Sequence, residues 1–359
     1  MNTNRTIGSE YMHWAKTRLH ARFDLAVSGM PNVPLAALGA SIDDLEITNT
    51  DAYGYAPLRQ GIAARYGVAP GNVVAAAGTS MANHLAMAAL VEADDEVIVE
   101  RPVYEPIVAT ARYLGANVRF LERRFENGFV IDPDDVARLV SPRTRLVVLT
   151  NLHNPSGAMI DRESLAGIGA IAERFGAKVL VDEVYLDATF DDPQPAAVRL
   201  GPAFISTSSL TKLFGMSGLR CGWVLAEEGL ADRMWRLNDL YGVNAAHAAE
   251  RLSVVALQHA DRLLDEAREL IEANRAGWQA FAATREEIST AATAYGTTVF
   301  PRLAGCDADA LVARLGERYE TSVVPGRFFG APEHIRIGLT VEPAVFREGL
   351  ARLGEALGG

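Results

Sequence analysis

The chain has 359 residues, 49% hydrophobic and 22% charged, which excludes a disordered chain and a small disulfide scaffold. At roughly 100–200 residues per domain it has room for two or three domains. Its 34 basic and 45 acidic residues give a net charge of −11. The acids run through the whole length, so a phosphate backbone would be repelled almost everywhere and nucleic acid is not an expected partner. The two cysteines, Cys221 and Cys306, have no Cys or His nearby at metal-ligand spacing, which points to a reducing, cytoplasmic setting without a metal. The start, Met1 to Gly8, lacks the apolar stretch of a signal peptide, and no run approaches the ~18 apolar residues of a spanning helix. A soluble protein with no membrane partner is the expectation.

The first 40 residues are rich in turns around Ser28-Gly29-Met30-Pro31 and are expected to pack against the C-terminal part. From Val73 to Leu225 short apolar runs alternate with helical stretches. Strands are predicted at Val73–Ala77, Glu96–Val99, Asn117–Leu121, Leu146–Thr150, Lys178–Asp182, Ala203–Thr207 and Gly222–Leu225. Helices are predicted at Met81–Val91, Ile107–Leu114, Asp134–Val140 and Arg162–Phe175, the last two opened by Asp132-Pro133 and Asp161. This repetition implies an α/β fold whose seven-stranded, mostly parallel sheet is covered on both faces, with ligands beyond the carboxyl ends of the strands. From about Arg233 the pattern turns helical. A long helix over Asp261–Thr284 is predicted, followed by short strands at Thr297–Phe300, Thr321–Val324 and His334–Gly338 and helices at Asp307–Tyr319 and Pro343–Leu357. The expected division is a large domain over 41–250 and a smaller α+β domain from 1–40 plus 251–359.

Four segments fall at predicted strand ends. Ser208 to Trp223 is crowded with small and hydroxyl residues and holds Lys212, one of three lysines with Lys16 and Lys178. Desolvation among Leu210, Leu213 and Phe214 would lower its amine pKa, as a Schiff-base nucleophile requires, while the hydroxyls and Arg220 could bind a phosphate; an ordinary solvated loop is the competing reading. Lys178 to Tyr185 ends an apolar strand in Asp182, a carboxylate too costly to bury without a cationic or proton-bearing partner, unless it serves as a helix cap or structural ion pair. In Asn151 to Gly157, Asn154 could donate to a ligand oxygen, against the alternative of a plain turn. Gly78-Thr79-Ser80 sits between a strand and a helix, where free first-turn amides would face an anion.

In this order the segments resemble the fold-type I, pyridoxal-phosphate (PLP)-dependent aminotransferases of class I/II. The resemblance runs over nearly the whole chain and rests on Asn-Pro-x-Gly at 154–157, Asp-x-x-Tyr at 182–185, Ser-x-Thr-Lys at 209–212 and Arg220. It implies that Lys212 carries the cofactor and moves the α-proton, that Asp182 keeps the pyridinium nitrogen protonated, and that Asn154 and Tyr185 hydrogen-bond the ring's phenolic oxygen. It further implies that Tyr104 stacks on the ring and that Gly78, Thr79, Ser80, Ser209, Thr211 and Arg220 surround the phosphate. Arg336 would clamp the substrate α-carboxylate and the backbone of Gly29 would line the substrate.

The implied activity is transamination between an α-amino acid and a 2-oxo acid by a homodimer. Decarboxylation, elimination, racemisation or cyclisation on the same fold is the alternative. A transcription regulator would need a basic recognition helix, which the first 40 residues lack. One departure from the family pattern lies at Asn49, where a tyrosine reaching the neighbouring subunit's phosphate often stands, leaving Tyr53 and Tyr55 as alternatives. His153 reads as a structural neighbour of Asn154, and Tyr11-Met12-His13-Trp14 as an aromatic anchor for the arm, with the substrate entrance as the other option.

Overall fold

The computed structural model describes residues 7–18 and 21–358; the leaderless start read from Met1 to Gly8 falls partly on residues 1–6, outside the described residues. Helix α1 (Glu10–Thr17) is capped by Ser9, and a two-residue strand β1 (Phe23–Asp24) follows. Helix α2 (Ala56–Tyr66) has no counterpart in the predicted elements. Pro57 in its first turn and Gly61 at its centre hide it, and it buries only Leu58, Ile62 and Ala63.

The central sheet contains β2 (Val73–Ala77), β3 (Glu96–Arg101), β4 (Asn117–Glu122), β5 (Thr144–Thr150), β6 (Lys178–Asp182), β7 (Phe204–Ser209) and β8 (Cys221–Leu225), in the order β2-β8-β7-β6-β5-β3-β4. All seven predicted strands are present. Pairing is parallel from β7 across to β4, whereas β8 runs antiparallel to both β7 and β2. The interior strands read as unbroken apolar runs because both faces are covered: Val97 to Val99, Leu146 to Leu149 and Val179 to Val181 are fully buried. Helices α3 (Thr79–Leu90) and α4 (Glu105–Tyr113) share an apolar cluster with one face, and α5 (Pro133–Leu139) and α6 (Arg162–Arg174) with the other. Asp132 and Asp161 cap α5 and α6 as their sequences suggest. Helix α3 begins two residues before its predicted start, because Gly78 takes the N-cap position.

Residues from both ends of the chain meet in smaller sheets. Strand β1 pairs in parallel with Thr321–Ser322, and Ile335–Gly338 lies between Thr298–Val299 and Val324–Pro325. The single strand predicted over Thr321–Val324 is therefore two, serving different sheets on either side of Val323. Gly338 permits a close approach here: its N–H donates to the Leu25 carbonyl at 2.7 Å, and a Cβ would run into the Val27 carbonyl. That contact fixes the path of residues 25–28, which enter the site below. The 23-residue helix Ala260–Ala282 buries Leu263, Ala267, Ile271, Asn274 and Trp278 along one stripe. Its Asn274 donates to the Leu339 and Val341 carbonyls at 3.0 and 2.7 Å.

No helix among the described residues is long and apolar enough to cross a membrane, and both cysteines are unpaired. Among the described residues one ion pair is wholly buried: Arg123 Nη1 donates to Glu100 at 2.8 Å, and Glu100 also accepts from the Thr150 amide at 2.8 Å and the Thr150 hydroxyl at 2.5 Å. It ties β3, β4 and β5 together at their carboxyl ends. Arg123→Met strands Glu100 in a dry site and is expected to cost about 3–5 kcal/mol in urea unfolding, against less than about 1 kcal/mol for Arg138→Ala in the exposed pair with Asp135. Equal losses would show that the pair does not hold the sheet.

Candidate active site

A cavity opens at the carboxyl ends of β5 to β7, where a parallel sheet leaves strand ends and helix N-termini converging. Its wall includes nine of the sequence-predicted residues: Thr79, Ser80, Tyr104, Asn154, Asp182, Tyr185, Thr211, Lys212 and Arg220. Gly78, Ser209, Gly29 and Arg336 stand just behind that wall, each touching a residue that forms it.

The reversal from β7 into β8 explains the Lys212 loop. Because β8 returns antiparallel, residues 210–220 are confined to one end of the sheet, and Lys212 is presented to the cavity. Its Nζ lies 3.1 Å from Ser28 Oγ and 5.9 Å from the Tyr185 ring centre. Ser28 also accepts from the Tyr185 hydroxyl at 2.8 Å. Gly29 packs over the same loop, 3.4 Å from the Lys212 side chain as measured from where a Cβ would stand, and the Met30 amide donates to the Lys212 carbonyl at 2.8 Å. Ser28, rather than Gly29, is the wall residue here.

Asp182 closes β6 and is buried. Asn83 Nδ2 donates to one carboxylate oxygen at 2.8 Å, and the Val184 amide to the other at 3.2 Å. Burial raises the carboxyl pKa above its ordinary value, and these donors with the Lys212 charge offset only part of that cost. Asn83 is itself oriented by the Thr207 hydroxyl, which donates to its Oδ1 at 2.6 Å. The neighbouring Glu183 has another role: it accepts from the Ala197 amide at 2.8 Å, and burial pushes its pKa up to about 8.

At the other end of the cavity no side chain caps α3, so its first-turn amides stay open beside Ser80. Thr79 donates to Ser209 at 2.8 Å, and the Ser209 and Thr211 hydroxyls lie 2.7 Å apart. Arg220 donates to the Ala77 carbonyl at 3.0 Å, across Gly78. Gly78 has φ +80°, and a Cβ there would strike the Arg220 guanidinium. Amides, hydroxyls and one guanidinium together can hold a phosphate.

Asn154 is held by the buried network described above, its amide donating to Thr150 Oγ1 at 3.1 Å. Its Oδ1 accepts from Arg336 Nη1 at 3.2 Å. Tyr104 meets Tyr11 edge to face with ring centres 5.5 Å apart, and burial raises its phenol pKa. His153 bridges Ser156 Oγ at 2.6 Å and the Pro102 carbonyl at 2.8 Å, and burial holds it neutral, as a structural residue. Tyr53 packs on Trp235 and Tyr55 against His247; neither lines this cavity.

Two wall or support residues, Asn83 and Ser28, have no site role in the sequence reading, and a third, Tyr11, has the substrate entrance only as its second option. Asn83 lies four residues after Thr79, one turn along the same helix face, which was the available signal. Ser28 was hidden in a turn-rich stretch. Tyr11 fits the arm-anchor reading, being buried against Tyr104, Phe328 and Phe329, but it also lines the cavity and accepts from Arg336. Burial would raise its phenol pKa; the nearby Arg336, Lys212 and Arg18 charges bring it below the ordinary value. Among the described residues no group of three or more His, Cys, Asp or Glu could hold a metal.

A family model described as aminotransferase class I and II matches residues 34–353. Capreomycidine synthase of Streptomyces vinaceus is 34% identical, covering 96% of this chain and 92% of that one. Arginine–pyruvate transaminase of Pseudomonas aeruginosa is 30% identical, covering 90% and 86%. The structure of the PLP-dependent cyclase OrfR superposes with a TM-score of 0.87 at 26% identity, covering 99% and 97%.

Because ionising Asp182 is unfavourable in the folded state, its contribution is favourable at low pH and is lost as pH rises through its raised pKa. In cofactor-free protein, Asp182→Asn is therefore expected to gain stability over wild type as pH rises, by at most about 1.4 kcal/mol per pH unit. Urea unfolding of both proteins across the range checks this, and a difference that does not change with pH would show that Asp182 ionises without penalty.

Proposed function

The chain belongs to the class I and II aminotransferase family of fold-type I, PLP-dependent enzymes, and within it we propose that it acts on an α-amino acid and transfers its amino group to a 2-oxo acid. Arg336 carries this reading. It is 1% exposed, has no acidic partner among the described residues, and stands behind Asn154 and Tyr11 at the cavity wall. A buried guanidinium with only neutral partners is favourable for an incoming carboxylate, which an amino acid and a 2-oxo acid share.

The residues fit PLP. Asp182 offers a dry carboxylate to a protonated ring nitrogen, Tyr104 an aromatic face, and Asn154 and Tyr185 polar groups for the ring oxygen. The α3 N-terminus with Ser80, Thr211 and Arg220 offers a phosphate cradle, backed by Gly78, Thr79 and Ser209. When bound, PLP supplies an aldehyde for amines and a ring that accepts the electron pair released at the substrate α-carbon. Lys212 Nζ would hold the cofactor and, once displaced by the substrate amine, would carry the α-proton from the substrate α-carbon to the cofactor's carbonyl carbon. Ser28, bonded to both Lys212 and Tyr185, orients that amine, and Tyr104 with Tyr11 shields the cavity from water.

Cyclisation of the amino acid is the second reading, favoured by the near full-length similarity to capreomycidine synthase and by the likeness to the cyclase OrfR. Both readings use Lys212 and Arg336 alike. Mass analysis of products from an amino-acid panel with a 2-oxo acid separates them: transamination yields the keto acid, and cyclisation a ring-closed product that retains the α-nitrogen. Borohydride reduction and peptide mapping of the same protein should find the cofactor on Lys212. A label on Lys16 or Lys178, or no product from any amino acid, would contradict the assignment.

A further inference from the structure

Arg336 does not itself line the cavity; it donates to Asn154 and Tyr11, which do. Its Nη2 is fully spent, with one hydrogen on the Ala26 carbonyl at 2.9 Å and the other on the Tyr11 hydroxyl at 3.1 Å. Both two-pronged grips open to a guanidinium use Nη2, so a carboxylate entering from the cavity must displace one of these acceptors or bind through them. The Ala26 carbonyl is main chain, fixed beside Gly338 by the neighbouring Leu25 carbonyl. Tyr11 is fixed by ring contacts with Tyr104, Phe328 and Phe329.

Arg336 Nε has no hydrogen-bond partner among the described residues, but a two-pronged grip through it still needs Nη2; of the two cavity-lining residues bonded to the guanidinium, each keeps a donor. The Tyr11 hydroxyl accepts from Arg336, and its own hydrogen has no acceptor among the described residues. Asn154 turns its Oδ1 to Arg336, which leaves its Nδ2 for the cavity side. A hydroxyl accepting from a cation is polarised and becomes a stronger donor.

Resting on the reading that the substrate keeps its α-carboxylate, we propose that Tyr11 binds that carboxylate directly, donating its hydroxyl hydrogen to one oxygen while accepting from Arg336. Helix α1 is then part of the substrate site rather than only an anchor for the arm. The guanidinium acts partly through Tyr11, and selectivity for carboxylate over an uncharged group depends on both residues.

The test titrates the holoenzyme with acetate, propionate and maleate, and with propylamine as the amine lacking a carboxylate, following the absorbance of the bound cofactor rather than turnover. Tyr11→Phe keeps the ring contacts and is expected to weaken the carboxylates roughly 10- to 100-fold while leaving propylamine within about 2-fold. Arg336→Ala is expected to weaken the same carboxylates. If Arg336→Ala weakens them and Tyr11→Phe does not, the role of Tyr11 is overturned and the amino-acid reading stands; if Arg336→Ala binds them as wild type does, that reading fails as well. Equal weakening of propylamine and carboxylates in Tyr11→Phe would make Tyr11 a packing residue. Should Tyr11→Phe not fold, hydrogen exchange on the wild-type holoenzyme decides: propionate, but not propylamine, should slow the amides of Glu10–Thr17, and unchanged exchange overturns the proposal.

Discussion

Asp182 is buried at the end of β6 with two neutral donors, and a proton-bearing partner in the cavity would offset the cost of its burial. Much of the surrounding structure follows from holding that carboxylate. Asn83 must reach it from α3, Thr207 must orient Asn83 from β7, and these contacts fix how α3 lies across the sheet. The same placement brings the uncapped start of α3 to the cavity, one helical turn from Asn83. An anion cradle and a buried acid are thereby set at opposite ends of one site by a single helix.

A second polar chain runs from the sheet toward the terminal segments. Arg123 neutralises Glu100, Glu100 fixes Thr150, Thr150 holds the Asn154 amide, and Asn154 meets Arg336, which reaches Tyr11 and the Ala26 carbonyl. Each member is buried, so an unpaired group anywhere would be costly. The guanidinium at its far end is the member whose hydrogen bonds are all to uncharged groups, which is the observation behind placing the proposed carboxylate there.

The large sheet was legible because most of its strands carry β-branched and aliphatic runs between turn signals, as in Val73–Ala77, Thr144–Thr150 and Lys178–Asp182. Lys212, Asp182, Asn154 and Arg220 stood out because short motifs mark strand ends. Helix α2 was not legible, since Pro57 and Gly61 interrupt its pattern. Ser28 enters the site only through tertiary contacts, in particular the close approach of residues 25–28 to Gly338, which no local pattern encodes. The split at Val323 was hidden for the same reason: one extended segment serves two sheets, and sequence spacing does not say which.

Pairing of Asp182 with a protonated ring nitrogen in the loaded protein is open to direct measurement. The direct measurement is the nitrogen-15 chemical shift of ring-labelled PLP in the holoenzyme at neutral pH, in wild type and Asp182→Asn. A protonated-ring signal in wild type that moves to the neutral-ring position in the variant is the expected result. A neutral ring in wild type, or a protonated ring in both proteins, would contradict it.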